Sequence, residues 1–548
     1  VYYDDPSIQN GIYSRDNFMF IIKPFVLDSL DKFTNQALSL NGTFISGGIF
    51  PDFIDSLSLQ KDYSLGFIRK TPSDGFNIYN QLASYDNEIR LSNKGLKGSG
   101  KIEFHTSTAL SEDVTFYPDS LSAVAHTYTN VKQEDDPEIP LVKGENCQVK
   151  YVPKENQLYA NTIENKFIFF DDEDADLTGG IVLGYDGLKG IGVMSFGKGE
   201  VQSLLYTYET DAILSDTAEF RLVSSDKDLD ALSFKTQNLN ARVDFATRIG
   251  EFKSNSGESF VTFPENEYIC YMDQFNWFMD NDDLEMKNSK QAAADINIDT
   301  DLDLAVSNFY SINPDQDSIN FGSSKARFDV KRKKITCTKI EFIKIADSRI
   351  VPDSGNIIIR KKARIETLKN ASIITNDVTK YYKIYDAEID INTRHDYIAS
   401  GTLDYVDINQ TKQQIYFDKL QPDTTDQTHG TAYINEEKGF KLSPNYDFIG
   451  DVNLASTNKD LEFSGSVKIK HTCDYIPQQW VDFTANIDPL DVLIPIELDS
   501  VSKTDDPSRI FSGMVFNTTD SISLYGSFMS SKSNPSHLDL MNATGFLK

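Results

Sequence analysis

Glycine recurs inside the apolar row of one strand phrase after another in this chain. The phrase reads Phe448-x-Gly450-x-Val452-x-Leu454 and returns as Phe463-x-Gly465-x-Val467-x-Ile469. Looser copies are Phe511-x-Gly513-x-Val515, Ala399-x-Gly401-x-Leu403-x-Tyr405, Leu177-x-Gly179-x-Ile181-x-Leu183 and Leu40-x-Gly42-x-Phe44. A period of two puts one apolar row on one face of a sheet. Glycine within that row marks a place where something packs closely against the strand, or where the strand bends. Helical periodicity is confined to two short stretches, Leu30–Leu38 and Asp280–Ala294. The copies are unevenly spaced. The pattern therefore predicts a mostly β chain, made of linked β-sandwich or jelly-roll modules or of an irregular β-solenoid.

Composition shifts along the chain suggest four modules. Acidic runs at Glu134-Asp-Asp-Pro-Glu138 and Asp171-Asp-Glu-Asp-Ala-Asp176 read as exposed loops or linkers. Residues 1–133 form an N-terminal β-module, and 139–280 form a second that ends in an aromatic cluster, Tyr268–Phe278. Packing in a sheet core is the first expectation for that cluster, ahead of an exposed platform for stacking sugar rings. Residues 281–408 hold an acidic strand region and then phrases opening with Ala326, Ala346, Ala363, Ala371 and Ala387. Their irregular spacing departs from tight hexapeptide or nonapeptide repeats and fits a broader stack of sheets. Residues 409–548 carry the glycine-centred strands and read as an antiparallel module.

Charge narrows the partners. Across 548 residues the formal net charge is −30, which argues against nucleic acid, because phosphate binding needs clustered Lys and Arg. The same balance opposes attraction to anionic lipid headgroups and leaves a cationic partner, a metal ion or a neutral glycan. No stretch approaches the roughly eighteen apolar residues of a membrane helix, so no transmembrane helix is expected. The chain opens at Val1 with no signal peptide before it and ends inside a strand-like phrase, Ala543–Lys548. A processed piece of a longer protein is the expectation. Cys147, Cys270, Cys337 and Cys473 are far apart and form no C-x-x-C pair, which argues against a zinc site. Cys270 and Cys337 sit in strand phrases and are expected as buried free thiols.

Oxygen ligands are densest in the row Asp295-x-Asn297-x-Asp299-x-Asp301-x-Asp303. It opens like an EF-hand loop, but position six is Thr300 and position twelve is Val306, so the EF-hand reading fails. A period of two instead lines the five side chains along one strand face. A solvated strand face is the first expectation; calcium is the one cofactor such a row would take, and the sequence carries no other cofactor signature. The run Asp171–Asp176 is weighed in the same way. The six histidines include no H-E-x-x-H pair, so a metalloprotease is not indicated. His471 extends the row Phe463–Ile469 and reads as a partly buried structural residue. His395 precedes Asp396, which could orient a base, but no G-x-S-x-G element accompanies it. G-x-G-x-x-G and P-loop patterns are missing as well. No catalytic residue is assigned, and the chain reads as non-enzymatic.

The triplet Asp-Ser/Thr followed by an aliphatic residue or Thr occurs at Asp28, Asp55, Asp119, Asp216, Asp317, Asp423, Asp499 and Asp520. It resembles the O-glycosylation signal that Bacteroidota place on exported proteins. The phrase Leu96-Lys-Gly-Ser-Gly-Lys-Ile-Glu-Phe104 and the Ala-led strands resemble pieces of large Bacteroidota envelope proteins built from β-repeats. They are also similar to the β-groove proteins of the AsmA/TamB and OstA-like types. The resemblance implies export to the periplasm, the outer membrane or the cell surface, with other envelope proteins, a glycan or a lipid as partners. It assigns no functional residue. A structural or interaction protein is the first expectation, and a lipid-conducting groove or a polysaccharide-binding or polysaccharide-cleaving protein is the alternative. Abundant Phe and Tyr fit a filled core at least as well as an open groove.

Overall fold

Alternating apolar and polar side chains become strands almost everywhere. The computed structural model describes all residues except 27–37, 81, 173–174, 224–231, 290–306, 473–477, 497–509, 518–522, 532–536 and 543. Strands account for 61% and helix for 4%, so the chain is mostly β. Residues Val1–Pro264, Met272–Lys287 and Asp329–Lys331 form one compact unit, and Glu265–Tyr271, Asn288–Phe328 and Arg332–Lys548 form the other.

The first unit is an antiparallel meander. Its ladder runs from Phe18–Ile22 through Ser39–Ser46, Phe53–Leu59 and Leu65–Lys70 to Ser84–Ser92. Gly95–Phe104, Ser107–Phe116, Leu121–Asn130 and Val142–Val152 follow, each paired to its predecessor. The ladder passes straight across the acidic run at 134–138, because Val142 pairs with Asn130. Gln157–Asn161 and Phe167–Phe169 both pair with Val142–Val152 and carry the ladder on to Ala175–Gly184, Gly187–Phe196, Gly199–Tyr208, Ala212–Val223 and Leu232–Asp244. One face is buried along most of the ladder: Leu121, Ala123, Ala125 and Tyr128 turn inward from one strand, and Val149 and Tyr151 from the next. Aromatic rings lock this interior. Phe220 stacks on Phe252 at 4.0 Å, and Phe116 meets Phe50 at 4.8 Å and Tyr85 at 4.9 Å. Such pairs add about 0.5–1.5 kcal/mol each beyond the area they bury.

The second unit repeats the logic with its own ladder. Leu368–Thr375, Tyr382–Thr393, Asp396–Val406, Lys412–Pro422 and Thr428–Ile434 pair in order. Tyr446–Ala455, Leu461–Ile469 and Trp480–Ile487 complete it. Phe448 meets Phe463 edge-on at 5.1 Å, and Tyr405 reaches Phe463 at 5.7 Å. Gly450 and Gly465 face each other directly across two of these strands. A Cβ on Gly450 would fall 2.6 Å from the Ser464 carbonyl oxygen and 2.7 Å from the Gly465 Cα, with φ at +138°. Backbone meeting backbone, rather than a packed ring, is why the row carries glycine here. In both units the interior is occupied by interlocking side chains.

Several sequence expectations change in the structure. The helix expected over Asp280–Ala294 gives way at Asp283–Lys287 to a strand paired with Gln274–Phe278. Leu284 and Met286 are both fully buried, so a period of two wins once a partner strand takes up the backbone hydrogen bonds. Leu30–Leu38 lies outside the described residues but for Leu38. Within the aromatic cluster, Tyr268, Cys270, Met272, Phe275 and Trp277 are buried, which is the packed-core outcome. Ala326, Ala371 and Ala387 lie inside strands. Ala346 and Ala363 instead occupy turns, with φ of 52° and 56°.

Candidate functional site

The first unit holds a small charged cleft, assembled by five separate turns and strand ends. Lys198 follows Gly197 in the hairpin between Gly187–Phe196 and Gly199–Tyr208. Arg248 stands one residue before the strand Ile249–Ser254, and Trp277 comes from Gln274–Phe278. A single 3-10 turn, Met279–Asn281, ends at Asp282, whose left-handed φ of 53° turns it back toward Lys198. Asp172 follows the short strand Phe167–Phe169. Phe196, Gly197, Trp277 and Met279 complete the lining of a space of about 290 Å3, open solvent included.

Each charge lining the cleft has a partner. Asp282 accepts from Lys198 at 2.9 Å and pairs with Lys331 at 3.3 Å, and its side chain is only 14% exposed. Arg248 donates to Asp280 at 2.6 Å and lies 3.6 Å from Asp172. The backbone ties the same segments together, because the Met279 N–H donates to the Arg248 carbonyl and the Val330 N–H to that of Asp282. Pairs this close are mutually neutralised, and half-buried ones resist opening because each leaves an uncompensated charge behind. The cleft is too small to enclose an organic ligand of ordinary size. Its chemistry is that of a clamp holding turns over Trp277.

A second polar cluster lies in the other unit. Asp347 accepts from the Thr428 hydroxyl at 2.6 Å, from the Thr428 N–H at 3.2 Å and from the Ser456 hydroxyl. Thr428 also contacts the hydroxyls of Tyr397 at 2.8 Å and Ser348 at 2.9 Å. Burial pushes the Tyr397 hydroxyl up to about 12. Ser348, Tyr397, Thr428 and Ser456 are all fully buried, so no substrate reaches these hydroxyls. The cluster joins three turns by satisfying polar groups that would otherwise be stranded.

The residues singled out by sequence scatter. Asp295, Asn297, Asp299, Asp301 and Asp303 lie outside the described residues. The other acidic run resolves into separate ion pairs: Asp171 with Lys143, Asp172 with Arg248, and Asp176 with Lys166 at 2.8 Å. His395 engages Asp426 at 2.8 Å and Asp317 at 3.1 Å rather than Asp396, which accepts from Asn392. His429 pairs with Asp423, whose carboxyl is held well below its ordinary range by the Thr425 hydroxyl and the Gln427 and Thr425 N–H groups. His471 is half-buried, and Cys147, Cys270 and Cys337 are buried free thiols. Among the described residues no group of three or more His, Cys, Asp or Glu side chains is arranged to hold a metal ion. No helix among them is long and apolar enough to cross a membrane.

Sequence reasoning did not single out Lys198, Arg248 or Asp282. Lys198 and Asp282 are 84 positions apart, so no local spacing announces them. Compared with known proteins, the chain matches no family model and no curated sequence.

Proposed function

We propose that this chain is a non-enzymatic β scaffold of a bacterial envelope protein, exported and offering its exterior to other envelope proteins. The observation that carries the reading is the filled interior. The inward rows of both ladders are spent on packing against one another, as Phe220 on Phe252 and Phe448 on Phe463 illustrate. A lipid conduit needs an apolar trough left vacant, and a glycosidase needs two carboxylates facing a cleft. The carboxylates of the cleft here, Asp172 and Asp282, are each committed to a cation. Outward-facing Asp, Glu and Lys keep the exterior hydrated and limit self-association.

Export is supported by the Asp-Ser/Thr triplets, which the fold sorts by access. Thr217, Ser318 and Thr424 are exposed, whereas Ser120 is buried and donates to Asp119. Fractionation of producing cells is expected to place the chain in the envelope. Mass spectrometry of that material is expected to find hexose on peptides containing Thr217, Ser318 or Thr424 and none at Ser120. Stoichiometric co-purifying lipid, or hydrolysis of envelope polysaccharide by the pure protein, would replace the scaffold reading with one of the alternatives. Recovery from the cytosol without hexose would remove the envelope assignment.

A further inference from the structure

Two stretches of the first unit coincide residue for residue when one is displaced by 92 positions. Gly95–Phe104 and Ser107–Phe116 correspond to Gly187–Phe196 and Gly199–Tyr208. Both pairs of strands carry the same irregularity. In the first, Gly98 pairs with Val114 and Gly100 with Ser111, so the second strand holds one extra residue. In the other, Gly190 pairs with Tyr206 and Gly192 with Ser203, each position again 92 further on. The preceding strand keeps the offset as well: Gly100 faces Asn87 and Gly192 faces Gly179, and both of these partners have positive φ. A Cβ on Gly100 would collide with the Asp86 carbonyl oxygen, and one on Gly192 with that of Thr178.

Side chains repeat the correspondence. The Ser111 hydroxyl accepts the Asp113 N–H at 3.2 Å and donates to the Val124 carbonyl at 2.7 Å. The Ser203 hydroxyl accepts the Leu205 N–H at 3.0 Å and has the Thr217 and Leu205 carbonyls, each at 3.0 Å, and the Ser215 hydroxyl at 2.8 Å within reach of its single hydrogen. Each serine thus holds the N–H of the residue two positions further on, inside its own bulge. The hairpins close on residues in the left-handed region, His105 at φ 52° and Gly197 at φ 56°. In sequence the match surfaces as Gly95-Leu-Lys-Gly-Ser-Gly100 against Gly187-Leu-Lys-Gly-Ile-Gly192.

We infer that residues 84–116 and 176–208 are two copies of one strand module, each turned by a serine-latched bulge. An extra residue in one strand of an antiparallel pair increases local twist and turns neighbouring side chains outward. Both copies consequently display two consecutive exposed residues just after the latch. In the first copy these are Glu112 and Asp113, with Lys97 3.1 Å from Asp113. In the second they are Leu204 and Leu205, 81% and 54% exposed. One backbone device therefore presents opposite chemistry in its two copies, independently of where the protein resides or what it meets.

The test is native-state amide hydrogen exchange on the full chain carrying Ser111→Ala or Ser203→Ala. Losing the latch exposes one N–H, so Ser111→Ala should speed exchange at Asp113, and Ser203→Ala at Leu205, by about tenfold each, the size of one ordinary hydrogen bond. Each variant should leave the other copy at its wild-type rate. Ser111→Thr and Ser203→Thr keep the hydroxyl and should restore most of the protection, separating loss of the latch from general loosening. A tenfold effect in one copy with none in the other overturns the inference, as does threonine failing to rescue both.

Discussion

Substituting Gly465 by Ala tests the close backbone approach that the recurrent glycine implies. The new methyl would press on the Ile449 carbonyl oxygen and lie 2.7 Å from the Gly450 Cα. Neither atom belongs to a flexible side chain, so the strands Tyr446–Ala455 and Leu461–Ile469 have to part. Overpacking of this kind costs about 1–3 kcal/mol. Gly450→Ala meets the same wall and adds a left-handed φ, about 1–2 kcal/mol more, so it should be the worse of the two. Gly439 is the control: its φ is +56°, but a Cβ there would have nothing within 4 Å, and Gly439→Asn should change stability by less than about 0.5 kcal/mol. The chain has only two tryptophans, and Trp480 begins the strand that pairs with Leu461–Ile469. Urea unfolding followed by Trp480 fluorescence in a Trp277→Phe background therefore reads this ladder alone. A Gly465→Ala protein within about 0.5 kcal/mol of its parent would refute the close-approach argument, as would one no less stable than Gly439→Asn.

Three further expectations follow from burial and charge. Burial pushes the Cys147 thiol up to about 11 and those of Cys270 and Cys337 well above their ordinary value. All three should resist maleimide at pH 8 until urea unfolds the chain, and fast labelling of Cys147, Cys270 or Cys337 in the native protein, read by peptide mapping, would contradict the packing. Burial alone would raise the Asp377 carboxyl, but Lys344 at 3.0 Å and Arg349 override it and hold it below its ordinary 3.8. A depressed carboxyl stabilises the fold above that value and loses its contribution as pH falls through the lower folded value. Melting temperature measured from pH 5 downward should therefore fall less steeply in Asp377→Asn, and an unchanged slope would show the pair to be inert. Calcium titration tests the row Asp295–Asp303: a site there raises the melting temperature in proportion to the logarithm of free calcium, and no shift removes calcium from consideration.

Much of the architecture was legible because strand formation is local. Alternation in Phe448–Leu454 and Phe463–Ile469 predicted both strands and their inward faces, and the structure pairs them with Gly450 opposite Gly465. Within Asp280–Ala294, which reads as helical, Asp283–Lys287 is a strand, because a short apolar pattern does not separate the two periods until a partner strand is present. The latched bulges had a sequence signal, the Gly-Leu-Lys-Gly tetrapeptides at 95 and 187, but four matching residues do not announce a bulge, whose register exists only once the partner strand is paired. The cleft had none.

By itself the sequence determined the class of structure: period-two rows, plentiful Phe and Tyr and almost no helical pattern leave a chain no alternative to sheets. A charge of −30 likewise argued against nucleic acid without reference to any fold. Only the tertiary structure decided that the interior is filled, because whether inward rows meet each other or enclose a vacancy depends on how ladders close. It also decided which carboxylates are neutralised. Asp172, Asp282 and Asp377 look alike in a row of letters, and their behaviour is set by Arg248, Lys198 and Lys344 arriving from distant strands. Coulomb interactions act over a few ångströms of space and not along the chain.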